Sequence, residues 1–423
     1  MTPNDDKPSA MTRGRLARLP VIGRVIASPA FASGDFRRLW IASAFNAAGF
    51  SGEQLILSLL VFQITDSTAW VGVALALYAV PMLVFGILSG IITDWLDRRT
   101  LLRVLDFLFA LNLTFFASLI AMGFTDLWLI LVFAMVAGSL RAINQPARMS
   151  YAYDIVGGAQ VVAGLGLLNL GTRVGQLAGA LAAGVAMQRL GTPMAFMILA
   201  GGHAAALAWL MSLRSAGDSA PTEPAPITQN MREFFAELRD NRSLLTLVLV
   251  TATVEVFGFS FHTILPELAT SRFDVGAEGL GLMHSAGAVG GIAASLVLAG
   301  MTGSTRRGLF FLAAIYGLGT SLILLSAAGL FALALLALLL VAVLATISDV
   351  LTQSMMQLSV PNRLRGRAMG SWVLAVGASP LGHLQMGVLA VSLGIGGALL
   401  INGTALIAVA ILATLAAPRL RRL

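Results

Sequence analysis

Six ionisable side chains fall in stretches that are otherwise apolar: Glu53, Asp106, Arg141, Arg173, Glu255 and Asp349. A charge near the centre of a bilayer costs at least about 2.5–3.5 kcal/mol to insert. Such residues face a wet cavity or a partner. A carboxylate in a desolvated cleft can alternate between neutral and charged as access switches, which is what coupling transport to a proton gradient requires. Glu53 sits mid-segment and is the foremost proton-coupling candidate. Asp349, Arg141 and Glu255 are further proton-coupling candidates, and His262 titrates near neutrality and could assist. The blander alternative is an interhelical ion pair that only fixes packing. His203, His284 and His383 each stand alone on a span, where a hydrogen-bonded packing role is the expectation.

Other chemistries lack their residues. No Walker lysine loop is present, so ATP is not the expected energy source. No nucleophilic Ser, His and Asp cluster lies in a polar segment, and no histidine pair has the i, i+4 spacing common in helix-borne metal sites. With no cysteine, thiolate metal sites and disulfides are excluded. The expectation is no enzyme, no metal and no cofactor. The 22 Phe and 17 Met include Phe50, Phe257, Phe259 and Phe261, which could wall a cleft adaptable to an amphipathic substrate.

The elements that position these residues are read from composition. Of 423 residues, 57% are hydrophobic and 11% charged, with mean hydropathy +0.87. Soluble domains carry about 25% charged residues. A helix-rich integral membrane protein fits. Twelve apolar segments are expected, over 39–62, 70–93, 101–122, 127–147, 157–187, 193–213, 243–267, 277–301, 308–328, 330–358, 367–392 and 395–417. Each is long enough to cross a ~30 Å hydrocarbon core at ~1.5 Å per residue. They imply a cytoplasmic tail (1–38), a six-helix bundle (39–213), a cytoplasmic linker (214–242), a second six-helix bundle (243–417) and a short cytoplasmic tail (418–423). Residues 229–241 could form a polar surface helix.

The net charge of +7 could suggest nucleic acid, but the basic residues sit in short runs between apolar stretches. Assigning the N-terminus and every second loop to one side puts 23 of the 27 basic residues there; Arg189 and Arg272 fall opposite, and Arg141 and Arg173 inside spans. This positive-inside pattern places both termini in the cytoplasm of an inner-membrane protein. The halves look related. Gly49-Phe50-Ser51 recurs as Gly258-Phe259-Ser260 at offset 209, and Gln145 as Gln353 at offset 208. In this repeat His262 takes the place of Glu53, and Asp349 corresponds to Arg141, whose charge it is expected to neutralise. Duplicated halves suit a transporter that binds substrate between them.

Residues 90–99 read Gly-Ile-Ile-Thr-Asp-Trp-Leu-Asp-Arg-Arg. This resembles the loop signature of the major facilitator superfamily, with Gly90, Asp94, Arg98 and Arg99 matching and Trp95 and Asp97 departing from it. Phe36-Arg37-Arg38-Leu39-Trp40, Gln63-Ile64-Thr65-Asp66-Ser67, Pro81, Pro146-Ala147 and Arg365-Gly366-Arg367 resemble the drug-exporter branch that includes macrolide efflux proteins and the enterobactin exporter. The resemblance implies spans one, four, seven and ten around a central cavity, and so a cavity position for Glu53, Asp349, Arg141, Glu255 and His262. It makes Asp94, Arg98 and Arg99 a gating latch, with Asp106 attached to that charge network. Gly171, Gly175 and Gly179 resemble the antiporter motif, but Gln176 replaces its proline; close helix packing is the expected role.

The resulting expectation is an all-α, two-bundle secondary transporter exporting a drug, macrolide or siderophore-like molecule by proton antiport. It would act as a monomer among membrane lipids, without nucleic acid. A facilitator, symporter or lipid flippase of the same fold, or a non-transporting assembly component, are the alternatives. Reporter fusions at Ala216 and at the C-terminus should read cytoplasmic, and one at Thr125 external. An external signal at Ala216 would overturn the twelve-span topology.

Overall fold

The computed structural model describes residues 29–157, 160–215, 239, 241–300, 307–359 and 365–416. Among these, every regular element is helical. Lipid offers the backbone no hydrogen-bond partner, so each apolar segment must satisfy its own amides, and the helix does so. The first half holds α1 (Gly34–Thr65), α2 (Thr68–Trp95), α3 (Arg98–Ala121), α4 (Leu127–Val156), α5 (Val161–Leu190) and α6 (Thr192–Met211). The second half opens with α7, Arg242–Arg272, and continues with α8 (Gly276–Gly300), α9 (Arg307–Ala327), α10 (Phe331–Leu358), α11 (Arg365–Val376) and α12 (Ser379–Ala416). Nine helices among the described residues are long and apolar enough to cross a membrane, and Thr68–Leu83 is a shorter apolar one.

Local sequence sets the ends. Ser33, Asp97 and Asn241 cap α1, α3 and α7 by accepting from the amides of Phe36, Thr100 and Leu244, each supplying a partner for an otherwise orphaned amide. Arg103 donates to the carbonyls of Leu210, Met211 and Leu213 and so closes the end of α6. Gly394, at φ 73°, breaks α12, so the expected boundary between residues 392 and 395 coincides with a turn that glycine makes without Cβ strain. The stretch before this break leads on from α11, and the stretch after it turns back.

Packing follows the repeat. In the first half α1 lies on α5, α2 on α4 and α3 on α6; in the second α8 lies on α10 and α9 on α12. The recurring tripeptide occupies matching places. A Cβ at Gly49 would strike His203 of α6, and one at Gly258 would meet Leu318 of α9 and Leu406 of α12. The seam between α1 and α5 is built on Gly171, Gly175 and Gly179. Added Cβ atoms there would sit 2.7 Å from the Trp40 indole nitrogen, 2.0 Å from the Ala44 carbonyl and 2.1 Å from the Ala48 carbonyl. The outward surface carries exposed Phe107, Phe115, Trp128, Val132, Leu336 and Val391, an apolar coat too extensive for water and suited to lipid.

One element departs from regularity. After a regular α7 start at Arg242–Thr253, Val254–Gly258 is π-helical, Ser260–Ile264 is 3₁₀ and Leu268–Arg272 is π-helical again. Helices widen or tighten in this way chiefly at functional sites.

Candidate functional site: a charged cavity between the halves

A cavity of about 400 Å³ lies between the halves. Side chains of α1, α2, α4 and α5 form one wall, among them Phe50, Gln54, Tyr78, Arg141, Gln145, Arg173 and Gln176. The other wall carries Glu255, Phe259, Phe261 and His262 of the irregular part of α7, His284 of α8, Asp349 of α10 and His383 of α12. A second hollow of about 150 Å³ shares Arg141, Gln145, Arg173 and Gln176 and continues along Ser43, Asn46, Asn144 and Arg148.

The sequence-selected cavity residues are therefore brought together, with one displaced. Glu53 stands behind the cavity wall, 1% exposed, and neither carboxylate oxygen has a hydrogen-bond partner. The hydroxyl of Tyr78 is likewise buried and unpartnered. Arg141 lays its guanidinium carbon 2.9 Å from the centre of the Phe50 ring, a cation–π contact, and the Phe50 and Tyr78 rings are 6.0 Å apart.

Asp349 has partners other than the one the repeat suggested. Its carboxylate accepts from Trp372 Nε1 at 2.8 Å and from Gln353 Nε2 at 3.1 Å. The cation that attracts it is Arg173, not Arg141. The repeat relates positions by rotation of one half onto the other, which need not bring equivalent side chains into contact. The histidines divide. His203 Nδ1 meets Asp106 and His383 meets Thr263, while His203 Nε2 is buried without a partner. His262 and His284, with ring centres 5.6 Å apart, each keep one buried, unpartnered ring nitrogen.

Asp106 lies in a network within the first half. Fully buried, it accepts from Asn46 at 2.7 Å and Arg148 at 2.8 Å, and meets His203 Nδ1 at 3.1 Å. Phe109 stacks on the His203 ring. This ties α1, α3, α4 and α6 together. The gating signature is only partly described. Arg98 pairs with Asp154 at 2.6 Å, and Arg99 donates to the Arg214 carbonyl. Gly90 and Asp94 lie in the last turns of α2, and the side chain of Asp94 lies outside the described residues, as do the side chains of Arg365 and Arg367.

Contacts at the other end of the molecule were not legible in the sequence. Thr68 donates to Glu267, Arg189 pairs with Glu278 at 2.6 Å, and the Ala277 amide donates to Gln188 at 2.9 Å, all across the halves. Small residues allow this closeness. Gly184 of α5 faces Gly281 of α8, and Gly72 of α2 abuts the His383 backbone of α12. The cavity is thus shut at the end carrying Arg189 and Arg272.

Residues 27–422 match the family model described as transmembrane secretion effector, a group of the major facilitator type. The chain belongs to this family. A stretch of 250 residues is 24% identical to the Staphyloferrin A transporter of Staphylococcus aureus (strain NCTC 8325 / PS 47), covering 58% of this chain and 62% of that protein. The chain thus spans less than two thirds of the length of that relative. The fold is shared with a POT family transporter solved with a thioalcohol-conjugated peptide (TM-score 0.74, 14% identity, 91% of this chain and 96% of the other). It is shared also with the nucleoside transporter NupG (TM-score 0.71, 15% identity, 90% and 98%). A bacterial homologue of the human lysosomal transporter Spinster, inward-facing and unoccupied, aligns with TM-score 0.67 at 14% identity over 92% and 96%. The protein is a multi-pass membrane protein of the major facilitator fold.

The Asp106 network generates a stability prediction. Removing one member of a buried pair typically costs about 3–5 kcal/mol. Asp106→Asn should lower the thermal unfolding midpoint in detergent markedly, and adding Arg148→Gln should recover part of the loss. An unchanged midpoint in the single variant would show that the network does not hold the first half together.

Proposed function

We propose that this transporter exports a small amphipathic molecule, of the drug, macrolide or siderophore-like kind, by proton antiport with alternating access. It would work as a monomer in the inner membrane, with twelve spans in two six-helix bundles and both termini cytoplasmic. Protons and one small organic substrate are its partners; no cofactor enters.

The observation that carries this reading is Glu53. Two carboxylate oxygens without a hydrogen bond, deep behind the wall of the cavity, are costly to leave ionised. Taking up a proton removes that cost. Arg141 supplies the opposing attraction, so a shift of Arg141 toward or away from Glu53 would favour release or uptake. Arg141, Phe50 and Tyr78 line the cavity in front of Glu53, so substrate and proton can affect each other through shared side chains. Kinship with a siderophore transporter supports a substrate of that size. The cavity closed at the Arg189 end is one of the two arrangements that alternating access requires.

Gln176 supports a second reading, a symporter or facilitator of the same fold. It stands where the antiporter motif has proline, and it accepts from Arg173 in the cavity wall.

Glu53→Gln keeps the size and cannot ionise. In proteoliposomes it should abolish accumulation of substrate driven by a pH gradient, while exchange at equal pH survives. If the variant still concentrates substrate as well as the parent, Glu53 is not the carrier. If the parent itself ignores an imposed gradient, the facilitator reading replaces antiport.

A further inference from the structure

The two arginines of the first-half wall are incompletely satisfied, whereas Asp349 opposite them is hydrogen-bonded through both oxygens. Among the described residues, Arg141 has a cation–π contact and no hydrogen bond. Arg173 gives a single hydrogen bond, to Gln176 at 3.3 Å, and its guanidinium lies against Gly291 of α8. Each guanidinium has five N–H donors, and both line the main cavity and the hollow beside it. Asp349 does not use them, because both of its oxygens accept from Trp372 and Gln353. Glu53 forms no hydrogen bond to Arg141. Guanidinium donors left open in a cavity walled by Phe50, Phe259 and Phe261 can take an acceptor from a bound molecule.

Building on the transport reading, we propose that the substrate carries two carboxylates, one for Arg141 and one for Arg173. Each guanidinium offers a planar fork that a carboxylate fills with two parallel N–H···O bonds, and one negative charge cancels one positive charge. A doubly charged group at either site would leave excess negative charge beside Glu255 and Asp349. Opposite the arginines, His262 and His284 line the cavity and would lie beside the polar middle of the molecule. The apolar remainder rests on the phenylalanines. The ligand class is therefore an amphipathic dicarboxylate with a polar, neutral middle, rather than a cationic drug.

The test is equilibrium binding of dansyl-glutamate and of its dimethyl ester to the purified full-length protein, followed by dansyl fluorescence. The free dicarboxylate should bind saturably, and the ester about tenfold or more weakly, as loss of charge-assisted hydrogen bonds implies. Arg173→Gln and Arg141→Gln should each erase most of that discrimination, and the Lys variants should restore part of it. Size-exclusion elution of each variant at the parental volume confirms that it is folded. Absence of saturable binding by the parent overturns the proposal, as does an ester that binds as well as the acid, and both comparisons hold without any variant. Binding of dansyl-glutamate without its movement across proteoliposome membranes would sink the transport reading and leave the dicarboxylate site standing. Movement of the ester in preference to the acid would do the reverse.

Discussion

A charge inside a membrane must find its partner within the protein, because the surrounding hydrocarbon provides none. This constraint sorts the whole chain. Apolar side chains such as Phe115 and Val391 face outward, and the ionisable groups of the spans are gathered inward. The helices can surround these groups closely because glycines at 171, 175 and 179 bring α5 against α1. The same device, with Gly184 facing Gly281, brings the two halves together at one end.

The interior charges then fall into two kinds. Asp106 is bonded by Arg148, Asn46 and His203 from three other helices of the first half, which suits a rigid body that moves as a unit. Glu53, Arg141, Arg173, His262 and His284 are left partly or wholly without partners at or behind the wall of the cavity. A network bonded across four helices holds them together, whereas polar groups left unpaired in the interior are costly. The irregular turns of α7 belong with the second kind, since they carry Glu255, Phe259, Phe261 and His262 to the cavity.

Much of this was legible in the residues. Charges in apolar runs pointed to the interior, and the repeat of Gly-Phe-Ser anticipated matched packing of Gly49 and Gly258. The turn at Gly394 lies between two expected spans. Other features were not legible because they depend on partners far apart in sequence. Periodicity gives no warning that α7 widens and tightens. Asp106 lies close in sequence to the gating signature yet takes partners from α1, α4 and α6. Asp349 shares an offset with Arg141 yet bonds to Trp372. Nothing in Thr68, Glu267, Arg189 or Glu278 taken singly reveals that they meet across the halves, since helix-end polar residues ordinarily face water. Arg173 was visible as an intramembrane charge, and its open donors emerged only from the geometry around it.

The central claim is that the two halves move about the cavity, opening the end now shut by the Arg189–Glu278 and Thr68–Glu267 contacts. The absence of cysteine allows a direct measurement: spin labels at Leu190→Cys and Ser271→Cys, exposed positions of opposite halves at that end, in the protein reconstituted in liposomes. Pulsed dipolar spectroscopy at acidic and alkaline pH should show the short distance of the closed arrangement and a second, longer distance whose population changes with pH. A single short distance under every condition, in protein that still transports, would contradict the account.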